Sequence, residues 1–168
     1  SYPDFLDLRA RAKTLRALVA YETGDFALAI KPQEPAKYLG GWVVSANFFS
    51  VLGVEPTIGR GFLPQDDVVG SSVAVISHRV WDRDFQKASD VVGRQILLSG
   101  TPFTIVGVTP ERFAGTELYF HPDIFVPLSA IRSVYPALPI DALADRTDRM
   151  LTVLGRLPAG VTASQAAS

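Results

Sequence analysis

Ser77, His78 and Asp82 place a hydroxyl, an imidazole and a carboxylate within six positions, the parts of a nucleophilic triad. Neighbouring residues at a strand-to-helix junction point apart, however, and triads are assembled from separate elements. The sequence also lacks the G-x-S-x-G elbow that would present such a serine. Ser77 therefore reads as an N-cap and His78 as a surface residue. His121 and Asp123, with Glu117 nearby, have the chemistry of metal ligands, but two histidines and no cysteine make a zinc site with the usual ligand count a poor reading. His121 reads as a turn residue before Pro122. Asp66 and Asp67 could offer oxygens to calcium, yet the loop lacks the alternating ligands of a calcium motif and reads as a solvated turn.

Gly59-Arg60-Gly61 and Gly70-Ser71-Ser72 are not phosphate cradles, because neither glycine-rich phosphate fingerprint occurs. Arg60 and Arg94 follow glycines in apolar surroundings and are expected to pair with carboxylates such as Asp66 or Asp90. Trp42, Trp81, Phe48 and Phe49 lie within strand or helix periodicity and read as core rather than as a ligand-stacking set. No catalytic, cofactor-binding or metal-ligating residue is expected, and no cofactor.

The elements that would position these groups can be read along the chain. Ser1 to Asp4 has capping-box spacing, and Phe5, Leu8, Ala12 and Leu15 recur at helical intervals, which predicts a helix from residue 3 to about 17. Leu18 to Ile30 is apolar and interrupted by Gly24-Asp25, which predicts two short strands joined by a turn. The proline-bracketed Lys31 to Pro35 is a connection, and Tyr38 to Ser45 a strand. Val43 to Phe62 then reads as strand, short helix with Ala46, Phe49 and Leu52 on one face, a stop at Gly53 and an irregular exit through Pro56, Gly59 and Gly61.

Two helices and about three strands thus precede Gly53. After Glu55 turns become frequent and strands short. Val73 to Ile76 is a strand, Ser77 starts a helix with Val80, Trp81 and Phe85 inward, and Arg94 to Ser99 with Phe103 to Val108 forms a hairpin about Gly100. Asp123 to Leu128 and Met150 to Leu157 are further strands, separated by a loop with a broken helix, and Thr162 to Gln165 starts a last helix.

The 168 residues suffice for one domain or two closely packed subdomains with a real core. A formal net charge of −1 leaves no electrostatic footprint for nucleic acid or an anionic membrane surface. The absence of cysteine excludes disulfides and thiol chemistry. The longest nearly apolar run, Trp42 to Val54, is well short of the roughly 20 residues that cross a bilayer, and no signal-peptide pattern opens the sequence.

Segment 43–62, Val73 to Ser77 with Trp81 and Phe85, Val91 to Arg94, Gly100 to Val108, Phe125 to Leu128, and Gly155 to Leu157 with Gly160 to Thr162 and Gln165 come in the order of the MacB-like periplasmic core domain. The chain resembles that domain almost from end to end, and its opening residues look most like the version in large, often duplicated bacterial permeases.

The resemblance implies an α+β fold of two lobes. A porter-like α/β subdomain would comprise residues 1–54 and 126–168, and an inserted, mostly-β lobe residues 55–125; the change of character near Glu55 agrees. It also implies a non-catalytic extracytoplasmic domain of an ABC-transporter permease in the periplasm, anchored by helices outside this sequence. Its partners would be transmembrane helices of the same parent chain, an ABC ATPase domain or subunit that hydrolyses ATP elsewhere, and a second permease protomer or a periplasmic partner. Both termini should then lie on one side of the domain. Two other classes stand beside it: a free-standing extracytoplasmic ligand-binding or sensor module with a cleft between lobes, and, for want of a catalytic set the weakest, an enzyme.

Overall fold

Ser1 starts the first helix: its Oγ accepts the Asp4 N–H at 3.2 Å, with proline in the first turn, and α1 runs Tyr2–Arg11. The computed structural model describes residues 1–12, 14–117 and 119–166. The helix is shorter than its periodicity predicts, because Ala12 is already extended and the Arg16 N–H donates to the Arg156 carbonyl at 2.8 Å. The backbone there is hydrogen-bonded as sheet, and Leu15 packs over Gly155 rather than along the helix.

The apolar run after it is one long strand, β1 (Ala17–Ala29), and not two. Gly24 and Asp25 make no turn; they pair with Gly41 and Gly40 of β2 (Lys37–Val44) in an uninterrupted antiparallel register from Tyr21↔Val44 to Leu28↔Lys37. Two strands rather than three therefore precede Gly53. Next come α2 (Phe48–Leu52), closed by Gly53 at φ 71°, the short β3 (Ile58–Gly59), and a 3-10 turn at Pro64–Asp66. The left-handed Gly53 donates its N–H to Phe49 and Ser50, which is why the helix stops there.

β4 (Val73–Ile76) leads through the Ser77 cap into α3 (His78–Phe85). β5 (Gln95–Leu98) and β6 (Thr101–Val108) form the expected hairpin, with Ser99 and Gly100 both at positive φ as a type I′ turn requires. β7 (Ile124–Pro127) runs through a 3-10 turn into α4 (Ile131–Val134), and after a run of turns β8 (Thr152–Arg156) precedes α5 (Ala163–Ala166).

Among the described residues the eight strands belong to one sheet, ordered β2-β7-β4-β6-β5-β1-β8, with β3 on β6. The additional β1–β2 pairing closes six of them into a ring, leaving β8 outside on the free edge of the first half of β1. The fold is thus mixed helix and strand with the sheet dominant. Strands from 1–54, 55–125 and 126–168 all take part in it.

Strict alternation along the strands sorts the apolar residues into two clusters. Leu18, Ala20, Val43, Ala74, Ile76, Ile124 and Val126 point one way, where Phe5 of α1, Val80 and Phe85 of α3 and Ile131 and Val134 of α4 cover them. Val19, Tyr21, Trp42, Val44, Val75 and Phe125 point the other way, onto Phe48 and Phe49 of α2 and onto Phe62. No helix among the described residues is long and apolar enough to cross a membrane.

Candidate functional site

The Ser77 hydroxyl accepts the Val80 N–H at 3.2 Å and donates to Asp123 Oδ1 at 3.5 Å, so both its hydrogen-bonding directions serve structure. His78 is not its partner; that ring meets Trp81 edge-on at 5.3 Å between centroids. Asp82 lies 3.7 Å from Lys87. The triad geometry is absent, as the separation of its parts along one helix requires. Asp123, which the sequence grouped with His121, instead accepts two hydrogen bonds from Arg79, at 3.0 Å from Nε and 2.7 Å from Nη2.

His78 and His121 do meet across a shallow hollow of about 230 Å³ that Arg79 and Glu111 also line. His121 Nδ1 lies 3.2 Å from the Ala114 carbonyl, which makes it the donor. Glu117 is elsewhere, accepting the Tyr21 hydroxyl. No group of three or more His, Asp or Glu among the described residues could hold a metal ion.

Asp66 accepts from Arg60 at 2.6 and 3.3 Å and from the Leu63 N–H at 2.8 Å. Burial raises its carboxyl, but these hydrogen bonds outweigh burial and hold it below the ordinary range. Asp67 differs: burial pushes its carboxyl up, Ser129 and Arg9 offset this only in part, and its Oδ1 is sealed from solvent without a hydrogen bond. Arg94 pairs with Asp90 at 2.5 Å. Trp42 lies fully buried against Tyr21, the rings parallel within 8° at 4.8 Å, in a cluster with Phe48, Phe49 and Phe125.

A further arrangement lies where the chain enters and leaves the sheet. Ala17 at the start of β1 pairs with Arg156 at the end of β8, and the register continues to Tyr21↔Thr152. The segments leading into β1 and out of β8 therefore leave the sheet side by side. Arg156 also donates to the Val51 carbonyl on α2, and Arg146 bridges Asp4 at 2.8 Å and Asp7 at 3.0 Å on α1. β1 in turn pairs with β2, β5 and β8. Sequence patterning marks β1 and β8 separately; their pairing is non-local, and no spacing rule reveals it.

The family model of the MacB-like periplasmic core domain matches residues 1–168. The chain belongs to this family. Over 79 residues, 47% of this chain, it is 32% identical to the pyoverdine export ATP-binding/permease protein PvdT of Pseudomonas fluorescens. Over 81 residues, also 47% of the chain, it is 33% identical to the macrolide export ATP-binding/permease protein MacB of Nitrosomonas europaea. The matches span only 12% of the length of either relative.

Among solved structures, the periplasmic region of MacB from Actinobacillus actinomycetemcomitans superposes with a TM-score of 0.68 at 15% identity, covering 98% of this chain and 68% of that one. The extracellular domain of the noncanonic ABC-type transporter YknZ from Gram-positive bacteria gives 0.63 at 16%, covering 79% and 65%. At such identities the likeness is one of fold. Membership of the MacB-like periplasmic core domain family implies an extracytoplasmic location.

Proposed function

We propose that this MacB-like periplasmic core domain is the non-catalytic extracytoplasmic element of an ABC-transporter permease, coupling movement of membrane-spanning helices to efflux or to partner engagement outside the membrane. The observation that carries the reading is the junction of β1 and β8. Helices of the same parent chain, joined upstream of α1 and downstream of α5, would act on two adjacent strands bonded through Arg16 N–H and the Arg156 carbonyl. ATP binding and hydrolysis belong to an ATPase domain or subunit, since this chain has no phosphate-binding fingerprint. A second permease protomer or a periplasmic protein is the further partner.

The division into 1–54 with 126–168 and an insert at 55–125 enters as part of this proposal, supported by the change of character near Glu55. Because β2 pairs with β7, and β1 with β5, movement between the two parts would flex a shared sheet rather than open a cleft.

The test uses the full parent transporter in proteoliposomes. A flexible Gly/Ser insert after Ala12, and separately one after Leu157, loosens either connection to the junction without touching the sheet. Loss of transport with ATP hydrolysis retained supports coupling through these segments. Full transport with both inserts rejects it.

A further inference from the structure

β1 is open along the middle of one edge. Its hydrogen bonds alternate in direction: the Ala20 carbonyl accepts the Ser45 N–H on the β2 side, and the Ala27 carbonyl accepts the Ser99 N–H on the β5 side. Even-numbered residues from Ala20 to Leu28 therefore bond toward β2 and odd-numbered ones away from it. On that outer edge β8 stops at Tyr21↔Thr152 and β5 starts at Leu28↔Leu98. Thr23 and Asp25 thus turn their backbone groups into a gap between two strands. The Glu22 carboxylate meets the Thr23 N–H, whereas the Thr23 carbonyl and both backbone groups of Asp25 have no hydrogen-bond partner among the described residues.

Beside the gap lies a hollow of about 550 Å³, lined by Glu22 and Thr23 and, on its apolar side, by Ile131, Tyr135, Leu138 and Met150. Asp25 is exposed and Glu22 half-buried. No salt bridge reaches Glu22, Asp25 or Asp148 among the described residues, from neighbouring Arg149 or any other cation. Burial pushes the Glu22 carboxyl up, and Asp148 lies close enough to add to it. Alternating donors and acceptors at strand spacing are matched by another extended backbone, which is how open sheet edges take up peptides. The unpaired carboxylates decide whose backbone. A second copy joined edge to edge would set Glu22 and Asp25 against their own like, and an acidic segment would fare no better, whereas a basic one supplies the missing counter-charges.

We propose that the gap between β8 and β5 takes up an extended segment of a partner protein carrying both apolar and basic residues. Its backbone bonds Thr23 and Asp25, an apolar side chain enters the hollow against Leu138 and Met150, and its cations lie beside Glu22, Asp25 and Asp148. Such uptake is independent of the coupling role: it is read by binding to this chain without transport, so either can fail alone.

Capped hexapeptides that alternate valine with lysine, glutamine or glutamate are titrated into the 168-residue chain and followed by NMR resolved at single amides and methyls. The lysine peptide should saturate about tenfold more tightly than the glutamine one, the worth of a few solvent-facing charge contacts, with glutamate weakest. Shifted amides should centre on Thr23 and Asp25, with Asp25 moving downfield as its N–H gains a partner, and the Leu138 and Met150 methyls should move with them. A lysine peptide methylated at every backbone nitrogen keeps its side chains and charges but donates nothing from its backbone, and should not bind. Combining Glu22→Gln, Asp25→Asn and Asp148→Asn should bring the lysine peptide down to the glutamine level. Should that variant fail to fold, about 1 M salt, where the Debye length is about 3 Å, should do the same to the unaltered chain. Equal binding of the lysine and glutamine peptides, binding that survives methylation, or shifts elsewhere overturns the proposal. So does concentration-dependent association through Thr23 and Asp25 without peptide, which would make a second copy the occupant.

Discussion

The Tyr135 hydroxyl occupies the space that a side chain on Gly24 would need. The glycine that looks like a turn in the sequence is therefore a straight strand residue whose missing Cβ admits a phenol from the far side of the chain. Gly24→Ala should force that ring aside and destabilise the domain by about 2 kcal/mol, the usual cost of overpacking, measured by thermal or denaturant unfolding. Tyr135→Phe in the same background should recover part of the loss by removing the atom that clashes.

Tyr135 also carries a pH signature. Burial first, and then the charges of Glu22 and Asp25, push its phenol up to about 12. The folded state thus holds this proton more tightly than the unfolded chain, where the group titrates near 10.0. Its contribution to stability is complete below the unfolded value and is lost as pH rises from there to the folded one. Tyr135→Phe should flatten the alkaline limb of stability against pH in that window, read by urea unfolding at a series of pH values.

Asp66 and Asp67 should respond to acid in opposite directions. Asp66 is held low, so its stabilising effect is present above the ordinary carboxylate value and fades as pH falls through the folded one. Asp67 is held high, so its stabilising effect exists only at acid pH and is lost as pH rises through the folded value. Asp66→Asn should cost stability at neutral pH and less in acid, whereas Asp67→Asn should raise the neutral Tm relative to the acid one. A scan of Tm against pH separates them. Arg60→Ala should cost about 2 kcal/mol, the worth of hydrogen bonds to a charged group, and less than Asp66→Ala, because Asp66 also holds the Leu63 N–H.

Ser77→Ala should remove the cap of α3 and cost about 1 kcal/mol. Ser77→Thr keeps a hydroxyl and should lose less. Ser77→Asp, ordinarily a good cap, should do worse than threonine because the Asp123 carboxylate lies 3.5 Å from the position of the hydroxyl. The three Tm values in order test whether Asp123 or the helix end governs the site.

What the sequence revealed was local. The Ser77 cap, the Gly53 stop and the hairpin about Gly100 rest on chemistry confined to a few neighbours, and each was legible. The early end of α1 was not, because a carbonyl on Arg156 captures the Arg16 N–H and overrides helical periodicity. Gly24-Asp25 misled for a related reason: glycine marks a turn and a close approach alike, and only Tyr135 tells them apart. The candidate site was legible in its local parts, the Ser77 cap and the pairing of Arg60 with Asp66, and not in its assembly. Its constructive part, Asp123 clasped by Arg79 and Ser77, depends on β4 and β7 lying side by side, which residue spacing does not encode.

The position of β8 has a consequence for how the chain matures. A polypeptide emerging from its N-terminus can zip β1 to β2 early, as a hairpin. The other edge of β1 must wait, first for β5 and, along its opening residues, for Thr152–Arg156 near the end of the sequence. Until those arrive, a run of Val19, Ala20 and Tyr21 offers open backbone to any passing strand. Nascent chains halted before Thr152 should be the aggregation-prone intermediates of synthesis, and the last strand to appear is the one that retires the hazard.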